Sequence, residues 1–146
     1  MLWRTPYSTF VFENQTWPDL SCYDLQSRAM SLADPCFVVL CDGLVSMKYR
    51  ETWRRLAAPF KQQLPCYFLT LLEDEPSVQQ LMASVPTSQH SEMGWMPVEA
   101  KGLLHKKPVV AMLLHQGNIV LGLAGPPTED ALESMETAIA NLLRVS

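Results

Sequence analysis

Two stretches of the chain are apolar almost without interruption, and three others carry apolar residues at helical spacing. The continuous stretches are Cys36–Cys41 and Cys66–Leu72, and the first lies between Pro35 and Asp42-Gly43. Short apolar runs bounded by turn residues are typical of strands buried on both faces, as in the centre of a parallel sheet. The two runs therefore predict two central strands.

Helical spacing predicts a helix between Met47 and Gln63, where apolar residues recur every three or four positions. These are Tyr49, Trp53, Leu56 and Phe60, while Arg50, Arg54 and Lys61 line the other side. Pro59 removes a backbone hydrogen bond, so we expect a kink or an early end there. A second helix is predicted to begin at Pro76 and to bury one face, formed by Val78, Leu81, Met82 and Val85.

The remaining segments before the last third carry weaker signals. Thr9–Glu13 is consistent with a short strand. Asp19 is a suitable N-cap for a helix that ends near Asp34-Pro35, with apolar positions Leu20, Tyr23, Leu25 and Met30. The stretch from Pro86 to Lys107 is irregular, and a loop of this length usually hides a short element, which we place at residues 95–98.

The last third has the clearest order of elements. Pro108 opens an apolar strand, Gln116-Gly117 forms a turn, and a second strand ends at Gly125. Thr128 is a good N-cap for a final amphipathic helix that continues to Arg144. Together with the central strands, this pattern predicts a mixed sheet with a parallel centre and an antiparallel C-terminal hairpin.

Composition and charge exclude several classes of function. A chain of 146 residues with 48% hydrophobic residues is expected to form one domain, and its net charge of −4 argues against a nucleic-acid binder. No apolar run is long enough to span a membrane, and Met1–Tyr7 lacks the pattern of a signal peptide, so we expect a cytoplasmic protein. The cysteines and histidines lack metal-ligand spacing and there is no glycine-rich phosphate loop, so we expect neither metal nor cofactor.

The order of elements from Cys36 to the C-terminus resembles the thioredoxin-like superfamily. Pro108 stands where that family keeps a proline, commonly cis, and Gly117, Gly125 and Asp74 also match its pattern. The resemblance implies an α/β fold with a mixed four- to five-stranded sheet flanked by helices. We expect one thioredoxin-like domain over residues 1–146, divided into an N-terminal extension (1–35) and a core (36–146).

The same resemblance predicts a loss of redox chemistry. The family's Cys-x-x-Cys motif falls on residues 44–48, where Val45 and Lys48 replace the two cysteines. A redox cysteine must be a thiolate near neutral pH, and neither replacement can supply one. Val39 stands where redox-active members carry a buried acid. These replacements predict a redox-inactive member without oxidoreductase activity.

The resulting prediction is a non-catalytic protein-binding module, a chaperone or an assembly subunit of a larger complex. Its protein partner is expected to bind at the former redox edge, through Val45, Ser46, Met47, Lys48, Arg50, Arg54, Trp95, Met96, Lys107 and Pro108. Two simpler interpretations stay open. The basic residues could form a solvated helix face with a Glu51–Arg55 pair, and Trp95 and Met96 could cover the core.

Two alternative functions also stay open. The first is a single-cysteine thiol enzyme, peroxidase-like or transferase-like, that uses Cys41, which ends the central strand just before the helix. Against it, Cys41 could be an unreactive buried residue, and Cys66 is its only suggested disulfide partner. The second alternative is a structural component of a secretion or conjugation apparatus.

Overall fold

The computed structural model describes residues 9–73 and 76–145 and contains three α-helices and eight strands in these ranges. The helices are α1 (Arg50–Ala57), α2 (Pro76–Ala83) and α3 (Glu129–Val145). The strands are β1 (Phe10–Thr16), β2 (Cys22–Asp24), β3 (Ala29–Met30), β4 (Cys36–Cys41), β5 (Cys66–Leu72), β6 (Met93–Pro97), β7 (Val109–His115) and β8 (Asn118–Ala124).

All the described strands join one sheet in the order β1-β8-β7-β4-β5-β6-β2-β3. Strands β4, β5 and β6 are parallel, whereas β7 pairs antiparallel with β4 and with β8. The predicted mixed sheet with a parallel centre and an antiparallel C-terminal hairpin is confirmed. The sheet is wider than the expected four to five strands, because β1, β2 and β3 add to both of its edges.

Strand β4 is the centre of the molecule, and each of its residues is at most 1% exposed. Phe37, Val39 and Cys41 face a core beneath α1 and α3, while the alternate residues Val38 and Leu40 face a second core. Alternation across a strand sends successive side chains to opposite faces, so only a continuous apolar run can fill both cores. The two apolar runs therefore form β4 and β5, as the sequence predicts.

The segment after β4 is less regular than the predicted helix from Met47 to Gln63. A 3₁₀ turn over Leu44–Tyr49 precedes α1, and a second 3₁₀ turn over Ala58–Phe60 follows it. The α-helix ends before Pro59, whose missing N–H cannot continue the ladder of hydrogen bonds.

The predicted helix between Asp19 and Asp34 is wrong, because this segment forms the antiparallel strands β2 and β3. The side chain of Asp24 accepts hydrogen bonds from the backbone N–H groups of Gln26 (2.9 Å) and Arg28 (3.0 Å), which closes a turn. Tyr23 stacks on Trp95 of β6 with ring centroids 4.6 Å apart. Pairing with a distant strand thus overrides the local helical spacing.

The other expectations agree with the structure. Strand β1 overlaps the predicted strand but begins one residue later and runs to Thr16, and α2 begins at Pro76. The short element in the irregular stretch is β6, which begins two residues before the predicted start and ends one residue before the predicted end. The hairpin turns at Gln116 and Gly117, which have positive φ angles of 54° and 79°. The N–H of Ala131 donates to Oγ1 of Thr128 (3.1 Å), so Thr128 caps α3. The bond before Pro108 is trans, and the cis bond among the described residues precedes Pro35.

The packing of β1 on β8 depends on one glycine. Phe12 lies opposite Gly122, and a Cβ atom at position 122 would overlap the Phe12 ring. We predict that Gly122→Ala lowers the free energy of unfolding by about 1–3 kcal/mol. Gly102→Ala is the matched control, since nothing lies within 4 Å of its added Cβ.

Chemical denaturation of both variants and of the double variant Phe12→Ala/Gly122→Ala tests this prediction. The double variant should be less destabilised than the sum of the two single changes, because removing the ring relieves the overlap. Simple additivity would contradict the proposed contact.

Candidate functional site

Cys41 lies at the carboxyl end of β4, within a row of residues that crosses the sheet. Its partners in register are Val109 on β7 and Thr70 on β5, and Thr70 in turn pairs with Trp95 on β6. Ends of parallel strands that meet at one sheet edge are frequent sites of binding and chemistry in α/β folds. Cys41 is thus a nucleophile candidate in a favourable part of the fold.

The segments that follow β4 and precede β7 meet at this edge. The N–H of Asp42 donates to the carbonyl of Pro108 (2.9 Å), and the 3₁₀ turn Leu44–Tyr49 begins two residues later. The start of the helical segment and the Pro108 loop therefore lie together, as the resemblance implied.

Arg50 is a buried cation close to Cys41. Its side chain is 9% exposed, and Nη1 donates to the sulfur of Met93 (3.1 Å). Its Nε and the Nε1 of Trp95 are buried and have no hydrogen-bond partner among the described residues. Buried donors without partners are costly, and they are common where a site receives a polar ligand.

Two opposing effects act on the Cys41 thiol. Burial raises its pKa to about 12, because a thiolate would lose its hydration there, and the positive charge of Arg50 opposes this shift. Cys41 is 1% exposed. The thiol is therefore protonated at neutral pH in this conformation, and burial outweighs the charge of Arg50.

The other three cysteines cannot form a disulfide with Cys41 in this fold. Cys66 lies opposite Phe37, so it is displaced from Cys41 by four residues, or about 13 Å along the sheet. Cys36 and Cys22 face the second core. A disulfide requires Cα atoms closer than about 7 Å, so the suggested partnership of Cys66 with Cys41 is wrong. All four thiols are free.

Several residues predicted to bind a partner are not on the surface. Trp95 and Met96 are buried (8% and 0% exposed), so the simpler interpretation, in which they cover the core, is the one the structure has. Ser46 and Arg50 are buried as well, because the 3₁₀ turn and α1 direct them toward the sheet. These four side chains cannot form an exposed contact surface in this conformation.

The accessible members of the predicted set lie around the turn after β4 and the Pro108 loop. Lys48 is exposed, and Met47, Lys107 and Pro108 are half-buried. The side chain of Val45 lies outside the described part of the structure. These residues form the rim of the edge that holds Cys41.

The basic face of α1 is largely paired with acidic groups. Glu51 lies 3.6 Å from Nε of Arg54 and 3.5 Å from Nε of Arg55, and Lys61 forms an ion pair with Glu92. The Glu51–Arg55 pair is the one that the simpler interpretation predicted. Arg54 therefore shares the carboxylate of Glu51 with Arg55.

The sequence did not predict Thr70, the neighbour of Cys41 on β5, or Met93, which accepts the hydrogen bond of Arg50. Thr70 is 2% exposed and Met93 is 1% exposed, and both face the same core as Cys41. Thr70 is the one polar residue in the apolar run Cys66–Leu72, which is a signal that the sequence does contain. Met93 carried no such signal. Among the described residues, no three His, Cys, Asp or Glu side chains could hold a metal ion, and no helix could span a membrane.

No protein-family model matches the sequence, and no curated protein matches it either. Solved structures do. A thiol peroxidase from Chromobacterium violaceum superposes with a TM-score of 0.64 at 10% identity, covering 92% of this chain and 89% of its own. The chain has a thioredoxin-like fold.

Two further structures support this assignment. A protein assigned as thiol:disulfide interchange protein DsbE from Chlorobium tepidum has a TM-score of 0.62 at 14% identity, covering 90% of this chain and 98% of its own. A peroxiredoxin-like protein from Aquifex aeolicus has a TM-score of 0.50 at 11% identity, covering 86% of each chain.

The comparisons correct the predicted function. The similar structures are named for thiol peroxidase, thiol-disulfide interchange and peroxiredoxin-like proteins, and none of these names describes a redox-inactive binding module. The predictions of a non-catalytic chaperone or assembly subunit and of no enzymatic activity are therefore wrong. The missing Cys-x-x-Cys motif does not exclude thiol chemistry, because function depends on the particular site and not on the fold alone.

The buried thiols predict an alkaline loss of stability. Burial raises the pKa of Cys22 and Cys66 to about 11 and that of Cys36 and Cys41 to about 12, from an ordinary value of 9.0. Above pH 9 the unfolded chain releases these protons first, so stability is complete below pH 9 and falls toward pH 12.

At one pH unit above the pKa that the thiol has in the unfolded chain, each buried thiol lowers the free energy of unfolding by about 1.4 kcal/mol. This loss corresponds to a decrease of about 2–4 °C in Tm. We expect Cys41→Ala to lose about 2–4 °C less than the native chain between pH 8 and pH 10 in thermal melts. Val39→Ala, a truncation on the same face of β4, should keep the native pH dependence. Equal losses in all three proteins would contradict the raised pKa of Cys41.

Proposed function

We propose that this chain is a single-cysteine thiol peroxidase and that Cys41 is its redox-active residue. The observation that carries the proposal is the position of Cys41 at the carboxyl end of the central strand, where the positive charge of the buried Arg50 acts on its thiol. The fold shared with a thiol peroxidase and a peroxiredoxin-like protein supports it. The role of a structural component in a secretion or conjugation apparatus stays untested.

The chemistry needs one cysteine in its first step. The Cys41 thiolate attacks one oxygen of a hydroperoxide, and the O–O bond breaks. The leaving oxygen takes up the proton that the Cys41 thiol released, so that water or an alcohol departs. Cys41 is oxidised to a sulfenic acid and the hydroperoxide is reduced. An external thiol then condenses with the sulfenic acid to give a mixed disulfide and water. A second external thiol attacks the external sulfur of that disulfide, which releases Cys41 as a thiol and leaves the two external thiols joined in an oxidised disulfide.

The closed conformation must open for this reaction. Burial holds the pKa of Cys41 at about 12, so the thiolate can form only when water or substrate reaches it. We propose that the 3₁₀ turn Leu44–Tyr49 moves to admit the peroxide. Once burial is relieved, the charge of Arg50 favours the thiolate, and its unpaired Nε is available to the oxygen that leaves.

The rim of the edge is the proposed approach for the external thiol. Lys48, Lys107 and Pro108 surround it, and Val45, Ser46 and Met47 belong to the turn that opens. A partner protein that carries the reducing thiol would bind there. We also propose a cytoplasmic location, because a reducing compartment supplies such thiols and keeps all four cysteines free.

Trapping of the sulfenic acid tests the identity of the redox residue. The native chain is treated with cumene hydroperoxide in the presence of dimedone, and the adduct is located by mass spectrometry. We expect the adduct on Cys41, and thiol-dependent consumption of peroxide that is lost in Cys41→Ser. Cys66→Ser, which also removes a buried free thiol, should retain both signals. An adduct on Cys66, or none at any peroxide concentration, would falsify the proposal.

Removal of the buried cation tests the role of Arg50. We predict that Arg50→Met slows the peroxide-dependent oxidation of Cys41 by at least about tenfold, because the thiolate and the leaving oxygen lose their positive partner. Arg54→Met removes an ion-paired cation from the same helix and should leave the rate unchanged. Stopped-flow measurement of both variants, with melting curves to confirm their folding, provides the comparison; equal rates would show that Arg50 has no part in the reaction.

A further inference from the structure

A cavity of about 390 Å³ lies on the face of the sheet opposite to α1 and α3. Its wall is formed by the segment from Trp17 to Asp34 and by the end of the β7–β8 hairpin. Leu114, on this wall, pairs with Cys36 at the start of β4, so the cavity is at the other end of β4 from Cys41. The proposed peroxidase chemistry does not use it.

Most of the cavity wall is apolar. Trp17, Leu20, Met30 and Leu32 line it and pack with their other surfaces against the second core. These residues belong to the N-terminal extension, in the segment that holds β2 and β3. This segment therefore does more than widen the sheet, because it also lines a solvent-open cleft of the size that small organic ligands occupy in proteins.

The polar end of the cavity holds Asp34, whose carboxylate is 55% exposed but is oriented by two hydrogen-bond partners. Oδ1 of Asp34 lies 3.0 Å from Nδ1 of His115 and accepts a hydrogen bond from the N–H of Gln116 (3.0 Å). The N–H of Trp17 donates to the carbonyl of Gly117 (3.0 Å), which ties the wall to the same hairpin turn. Among the described residues, the recorded partners of Asp34 all contact Oδ1, so Oδ2 remains for a ligand.

The charge at this end is negative at neutral pH. The Gln116 N–H and His115 hold the pKa of Asp34 below its usual value, so its carboxylate is ionised. The lining contains neither lysine nor arginine. Trp17 also lines the cavity, and an indole ring is the aromatic group that attracts cations best. A carboxylate and an indole, which both favour a positively charged ligand, therefore line one cavity.

We propose that this cavity binds a small organic cation, namely a protonated amine attached to an aromatic or aliphatic body. At about 30 Å³ for each water-sized unit, the volume accommodates roughly ten to thirteen non-hydrogen atoms. The ammonium group meets Oδ2 of Asp34 and the face of Trp17, and the apolar body fills the space against Leu32 and Leu114.

Calorimetric titration of the full chain with tryptamine at pH 7 tests this proposal. Tryptophol and indole-3-acetate have nearly the same shape as tryptamine. Tryptophol is uncharged, whereas indole-3-acetate carries a negative charge. We expect saturable binding of tryptamine, at least about fivefold weaker binding of tryptophol, and none of indole-3-acetate, since a charge-assisted hydrogen bond is replaced by a neutral one or by repulsion.

Variants separate the carboxylate from the cavity itself. Asp34→Asn keeps an Oδ1 acceptor but removes the charge and should weaken tryptamine binding by about tenfold. Asp19→Asn, an exposed acid of the same segment outside the lining, should have no effect. Ser31→Trp places bulk in the cavity without touching Asp34 and should abolish binding, while melting curves report whether each variant folds.

Binding that is equal for tryptamine and tryptophol, or that is unchanged in Asp34→Asn or Ser31→Trp, would overturn the proposal, as would the absence of saturation. Cys41→Ser should bind tryptamine like the native chain, because Cys41 lies at the other end of β4 on the opposite face. The proposal of a cation site and the proposal of peroxidase activity can therefore be contradicted independently.

Discussion

The burial of β4 on both of its faces is the constraint on which the rest of the structure depends. Its side chains alternate between two cores, and its backbone pairs with β5 on one side and β7 on the other. A strand in this position has no freedom to slip, because a shift of one residue would exchange every side chain between the two cores. The position of Cys41 at the strand's end is fixed by the same register.

The same burial creates the conflict at the candidate redox site. A thiol that ends a central strand is well placed beside the Pro108 loop, but its surroundings exclude the water that a thiolate needs. Arg50 is buried with it and supplies a charge of the right sign, although burial is the stronger effect in the closed state. Opening of the site would make the Cys41 thiol more reactive, because it relieves burial while the positive charge of Arg50 remains nearby.

The segment before β4 adds strands to both edges of the sheet. Strand β1 extends one edge of the sheet through the contact of Phe12 with Gly122, and β2 extends the other through the stacking of Tyr23 on Trp95. Between these edges, the segment before β4 covers the second core and lines an open cavity whose polar end holds Asp34 and His115. The two faces of one sheet therefore carry two separate candidate sites.

The sequence by itself determined the elements whose signals are local. Continuous apolar runs specify β4 and β5, Gln116-Gly117 specifies the hairpin turn, and Thr128 begins α3, because burial on two faces, positive φ angles and capping each act over a few residues. The thioredoxin-like arrangement follows from the order of these elements. That much could be predicted without coordinates.

The tertiary structure decided what depends on residues distant in sequence. The spacing of Leu20, Tyr23 and Met30 suits a helix, but pairing with β6 makes strands of this segment. In the sequence, Arg50 belongs to a row of basic residues that predicts an exposed surface. In the structure it is buried, donates to the sulfur of Met93 and acts on the Cys41 thiol through its charge. Burial is a property of the assembled chain, so the chemistry available to a cysteine or an arginine cannot be read from its neighbours in sequence alone.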